Sequence, residues 1–189
     1  LCQHVLIHPP GGLVGGDRVA LDVTVGTDAA VQLTTPGAAK LYRSAGPEAA
    51  QTLLARVEAG GWLEWIPQET IAFDGARARL ECGFDLDPRA RLLAWDILVL
   101  GAATPFVDGD VRQSFEVRVA GVPILTDAVR YDASLRRSRL GLGGAAAEFV
   151  SPVARTTVDE IEVLKDARVR FVRSDGGGDL ATWTLEAAI

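Results

Sequence analysis

At 189 residues, 48% of them hydrophobic and 23% charged, the chain is long and apolar enough to bury a core as one domain, residues 1–189. Its formal net charge of −6 argues against nucleic acid or an anionic membrane surface as partner. Two cysteines, Cys2 and Cys82, make neither a disulfide framework nor a zinc knuckle.

His4 to His8 reads as the end of a strand. It leads into His8-Pro-Pro-Gly-Gly-Leu-Val-Gly-Gly-Asp17-Arg18, a loop whose prolines and glycines give it a specified shape. The spacing is wrong for a phosphate loop, and the loop ends on a carboxylate, Asp17, which repels phosphate. It is either a tight turn or a device that presents Asp17. Val19, Leu21, Val23 and Val25 alternate with smaller or polar residues, which predicts a strand with one wet face. Gly26-Thr27-Asp28 turns it into a strand over 29–35. Thr35 and Pro36 suit the cap of a short helix through Lys40 to Ser44. Further strands are expected over 51–58, 62–67, 77–87 and 91–100. In the strand over 77–87, Ala78, Leu80, Cys82, Phe84 and Leu86 face inward.

Residues 111–119 alternate again, and Ala120-Gly121 predicts a hairpin with 124–126. Gly141 to Ala147 reads as a loop or disordered run. Residues 168–173 and 180–185 read as closing strands. A small-residue turn followed by an alternating strand starts at Ala29, Gly61 and Ala90, and again at Ala167. The first three recur about every 30 residues, a solenoid-like period. The expected fold class is all-β with at most one or two short helices, in β-helix or solenoid-like stacked sheets.

The only histidines are His4 and His8, so no histidine relay and no His-x-x-x-His metal face exists. No Gly-x-Ser-x-Gly elbow or nucleotide fingerprint is present. What remains is a set of carboxylates beside aromatics: Glu64 between Trp62 and Trp65, Glu69 after Gln68, Asp74 after Phe73, and Asp96 after Trp95. Each can be a structural carboxylate satisfied by arginine. As chemistry, Glu64, Glu69 and Asp74 suit a carbohydrate-active β-solenoid using acid and base carboxylates. Alternatively, carboxylates line a path for a divalent metal. Oxygen ligands hold nickel more loosely than imidazole or thiolate, so a chain poor in His and Cys suits transit better than storage. The most apolar run, 92–103, is broken by Asp96 and too short to span a membrane, so the cytoplasm is the expected compartment. The chain opens on Leu1 without a methionine, which leaves an upstream targeting segment open.

The Gly-rich loop, Thr34-Thr-Pro-Gly-Ala-Ala-Lys-Leu-Tyr42-Arg43-Ser44, Leu63-Glu64-Trp-Ile-Pro-Gln68-Glu69-Thr-Ile71 and Phe73-Asp74-Gly-Ala-Arg77 occur in this order. Together they resemble the urease accessory protein family UreD, also called UreH. The resemblance extends through Trp95-Asp96-Ile97-Leu98, Arg112-Gln113 and Arg130-Tyr131, to about Asp132. It implies a non-enzymatic, β-rich scaffold of the cytoplasm that binds apo-urease, recruits UreF and through it the GTPase UreG, and holds no permanent cofactor. It also implies that nickel passes in transit through an internal channel. Asp17, Glu69 and Asp74 match family positions and are the expected nickel path, with His4 and His8 as weaker ligands at its entrance. Tyr42, Arg43, Glu64, Gln68, Arg77 and Asp96 are the expected partner-binding or structural residues. The family's strands ahead of the Gly-rich loop are missing here, and residues 133–189 form a weakly matching tail.

Overall fold

A computed structural model describes residues 1–8, 11–101 and 106–132, and the backbone of 149–152, 167–174 and 180–186. The chain winds as a β-solenoid with three faces. The first face is built from β2 (Arg18–Val25), β5 (Ala49–Val57), β8 (Arg77–Leu86) and β11 (Asp110–Val119). The second holds β1 (Cys2–Val5), β3 (Ala30–Thr34), β6 (Trp62–Trp65) and β9 (Arg91–Ala94). The third holds β4 (Ala39–Leu41), β7 (Thr70–Ala72) and β10 (Leu98–Leu100). Along each face successive strands pair in parallel, one coil on the next. Ala30 stands beside Trp62, and Trp62 beside Arg91, which is the repeat of about 30 residues expected from the sequence.

Parallel in-register pairing makes equivalent residues share a face, so the alternation of each strand is copied down the stack. Leu21, Leu53, Cys82 and Phe115 form one inward row, and Val23, Ala55, Phe84 and Val117 the next. Phe84 and Phe115 pack with ring centroids 5.0 Å apart inside this core. A second apolar cluster, including Leu13, Leu41, Leu98, Phe106 and Val111, fills the interior beside the third face. β12 (Val122–Asp132) folds back antiparallel on β11 and completes a five-stranded sheet.

β13 (Phe149–Pro152), β14 (Ala167–Ser174) and β15 (Leu180–Glu186) belong to the other sheet, of ten strands. There β14 pairs with β9 and β13 with β10, both antiparallel. The fourth sequence repeat, at Ala167, therefore follows the first three in the stack but runs in the opposite direction.

Two expectations change. Residues 35–44 form no helix, and no helix occurs among the described residues. Instead β4 carries Leu41, only 1% exposed, into the core and pairs with β7. So short a segment nucleates a helix poorly, and a waiting strand edge with a core site for Leu41 outweighs a capping signal. The expected strand over 91–100 is split into β9 and β10 by a bend at Asp96, because there the chain turns from the second face to the third. The run at 141–147 lies outside the described residues.

Candidate functional site

The candidate residues gather mainly at the corners of the solenoid. Asp17, Tyr42, Arg43, Asp74 and Arg77 share the corner between the third and first faces, on successive coils. Gln68, Glu69 and Asp96 share the corner between the second and third faces. Glu64 lies on the outer side of β6, and His4 on the inner side of β1.

At the first corner the carboxylates build backbone. Asp17 Oδ2 accepts the Val14 amide at 2.9 Å, which closes the end of the Gly-rich loop. Gly12, at φ +158°, has no room for a side chain: a Cβ there would lie 2.5 Å from the Lys40 carbonyl oxygen and 2.7 Å from the Tyr42 ring. The Tyr42 hydroxyl donates to the Gly11 carbonyl at 3.3 Å, and its ring stacks on Phe73 with centroids 5.6 Å apart. Asp74 Oδ1 accepts the Asp108 and Val107 amides at 2.7 and 2.8 Å, while Oδ2 meets the Arg43 guanidinium. These amides, the Asp108 one foremost, and the Arg43 charge hold the Asp74 carboxyl below the usual range despite its partial burial. Arg77 is exposed at the start of β8, beside Asp110 of β11.

At the second corner Gln68 is exposed and donates its backbone amide to Thr35 Oγ1 at 2.9 Å. Glu69 is half-buried, and its carbonyl accepts the Ala39 amide at 2.9 Å. Asp96 is 7% exposed and turned into the solenoid, where Cys82 Sγ approaches its Oδ2 at 3.8 Å. Burial pushes the Asp96 carboxyl above its usual range, against help from Gln113, Cys82 and the Ile97 amide. The Gln113 amide lies beside it, yet its Nε2 closes no hydrogen bond of ordinary geometry. Burial first, then the Asp96 charge, pushes the Cys82 thiol well up, so it is an unreactive thiol. Asp96 is the one carboxylate among the described residues that is fully interior. Trp65 Nε1 is a second interior polar atom without a hydrogen bond there.

The remaining candidates stand apart. Glu64 Oε2 accepts from Gln32 Nε2 at 2.5 Å, and Gln32 Oε1 from Gln3 Nε2 at 3.0 Å. This is an amide–carboxylate ladder across β1, β3 and β6. Beside it Arg91 lies 4.3 Å over the Trp62 ring. Cys2 and His4 share the inward face of β1, with Sγ and Nε2 3.3 Å apart, and both are exposed at the open end of the stack. His8 is exposed. Among the described residues no three or more His, Cys, Asp or Glu side chains form a group able to hold a metal ion. The arrangement therefore offers single polar groups along an apolar interior and no cage. Glu64, Glu69 and Asp74 lie on different sides of the solenoid, and Asp74 is occupied by backbone amides. They do not form the facing pair that glycoside hydrolysis needs.

No local pattern in the chain brings Cys82, Asp96 and Gln113 together. The alternation of the strand over 77–87 turns Cys82 inward, but its contact with Asp96 and Gln113 requires the coils to stack in register.

The sequence model of the UreD urease accessory protein family matches residues 1–180, well beyond Asp132. The urease accessory protein UreD of Methylibium petroleiphilum is 53% identical over 127 residues, covering 66% of this chain and 43% of the relative. That of Pseudomonas aeruginosa PAO1 is 41% identical over 188 residues, covering 96% of this chain and 65% of the relative. That of Dechloromonas aromatica is 54% identical over 137 residues, covering 71% of this chain and 48% of the relative. The aligned chain thus spans between 43% and 65% of the length of these relatives.

Proposed function

Starting from a chain that belongs to the UreD urease accessory protein family, we propose that it is a non-catalytic helper in urease maturation, acting in the cytoplasm. In this reading it binds apo-urease, is joined by UreF and through UreF by UreG, and passes nickel as cargo toward the urease active site. The family match over residues 1–180 carries the reading. The chemistry of the interior supports the nickel step. A cargo ion needs ligands it can leave, and the interior offers a lone carboxylate, Asp96, whose oxygens hold nickel more loosely than a thiolate or an imidazole would. Asp17 and Asp74 support the corner, and their loss is expected to act through folding before it acts through nickel. The carbohydrate-active alternative is set aside, since its three carboxylates lie apart.

The test is co-expression of this chain with a urease operon that lacks its own UreD gene. Restored urease activity, with nickel in purified urease and apo-urease retained on the tagged chain, is the expected result. A folded chain that neither restores activity nor retains apo-urease overturns the reading. Asp96→Ala in the same assay separates the nickel step from binding: apo-urease retention is kept and nickel per urease falls.

A further inference from the structure

The outward residues of the first face stand in rows across its strands. One row reads Arg18, Ala50, Arg79, Arg112 and Arg130, each beside the next in register. The next row is mostly small: Ala20, Thr52, Glu81, Ser114 and Ala128. The third reads Asp22, Leu54, Gly83 and Glu116, and Leu54 is 54% exposed. A shallow pocket of about 300 Å³ lies among Arg79, Arg112 and Arg130, over Ser114 and Ala128. A second, of about 490 Å³, lies beyond it around Leu54 and Gly83. The face is thus a trough with an arginine rail along one side, a floor small except for Glu81, and Asp22 and Glu116 on the other side.

Like charges on neighbouring strands destabilise a sheet, so the rail carries a cost in the isolated chain. Neighbouring acids offset it unevenly. Asp110 grips Arg130 with two contacts of 2.8 Å. Arg112 has one partner at hydrogen-bond length, Asp110 at 3.2 Å, while Glu48 stays at 3.9 Å. Arg79 reaches Glu81 and Glu48 only at 3.6 and 3.7 Å. A guanidinium has five donors in a planar fork, so Arg79 and Arg112, with side chains 44% and 50% exposed, keep most of theirs for an outside acceptor. The protein is acidic overall, and Asp22, Glu81 and Glu116 face the same trough, so a broad polyanion such as nucleic acid or a lipid surface meets carboxylates across it, while a single narrow acidic stripe laid along the rail meets the arginines.

We propose that this face docks the acidic stripe of a helix from a partner protein. The spacing selects a helix. The rail repeats at the strand separation of about 4.8 Å. Carboxylates at i and i+3 or i+4 on a helix are about 5–6 Å apart, against about 6.8 Å for one side of an extended strand. The small floor lets a helix approach closely, and Leu54 gives it an apolar contact. The surface stands whether or not the chain acts on urease.

A fluorescent alanine-rich peptide of about 20 residues, with glutamate at every fourth position, is titrated with the full chain at low salt and followed by anisotropy. Saturable binding that weakens as salt is raised is expected. Arg79→Gln with Arg112→Gln should weaken it at least about tenfold, while Arg89→Gln, exposed on the β8–β9 turn, leaves it unchanged. Should the double variant lose its fold, Arg112→Lys carries the readout, since it keeps the charge and loses the fork. Absence of binding at low salt, or binding undiminished in these variants, overturns the proposal. So does equal binding of a peptide with glutamate at every second position, or tighter binding of heparin through the same arginines.

Discussion

Asp74 ties Arg43, 31 residues upstream, to Val107 and Asp108, 33 and 34 residues downstream. A carboxylate that accepts two backbone amides contributes more than an exposed ion pair does. Asp74→Ala should therefore destabilise the fold by about 2–4 kcal/mol in urea denaturation. Arg43→Gln should cost less than about 1 kcal/mol, because the arginine is 64% exposed and screened by water. The depressed Asp74 carboxyl stabilises the fold at pH values above its ordinary 3.8, and this contribution is lost as pH falls through the lower folded value. Asp96 has the opposite sign. Its folded value is raised, so its contribution is present below 3.8 and lost as pH rises through the folded value. Asp96→Asn should therefore match the parent in urea midpoint near pH 3.5 and exceed it at pH 7.5. Equal midpoints at both pH values would mean that Asp96 ionises inside at no cost.

Turns decide how well each strand meets its neighbour. The β11–β12 hairpin closes through Ala120 and Gly121, with φ of 49° and 77°, joined directly to the Val119–Val122 pair. Two left-handed residues are what a tight hairpin requires, and alanine enters that region at a cost. Ala120→Gly should raise stability by about 0.5–1 kcal/mol, seen as a higher melting temperature; a loss would mean that the lower entropy of unfolded alanine outweighs the strain. Gly75 is the reverse case. At φ +78° it holds a left-handed backbone that a side chain enters only under strain, whereas the Arg43 side chain that a Cβ would meet is exposed and can move aside. The hairpin was legible in the sequence because Ala-Gly between alternating runs is a local signal. The strand at 39–41 was not, because its cause is the edge of β7, about 30 residues away.

Across the whole molecule, the sequence shows inside and outside more plainly than it shows neighbours. Period-two alternation assigned Cys82 and Phe84 to the interior correctly, and turn spacing gave the coil repeat. Which carboxylates support the wall and which face the lumen depended on stacking. Asp17 accepts an amide within its own loop, from Val14, whereas Asp74 accepts amides from Val107 and Asp108 on the next coil, a contact no local pattern shows. The same stacking sets how the protein folds. The parallel ladders between coils join residues about 30 apart in a chain of 189, a separation of about 0.16 of its length, in the range of slow all-β domains. Each coil must close a loop before its first ladder forms, so early contacts bring little stability to offset the entropy lost. The main refolding phase after dilution from urea should fall in milliseconds to seconds; a microsecond phase would mean that local hairpins and not coil stacking limit folding. Core and outer wall should also separate in the same experiment. Phe115→Ala, which empties the centre of the stack, should cost about 3–5 kcal/mol. Leu54→Ala, on the outer side of the same sheet, should change stability by no more than about 0.5 kcal/mol. A large loss at Leu54 would mean that the trough is already covered by another part of the chain, which would remove it as a docking surface.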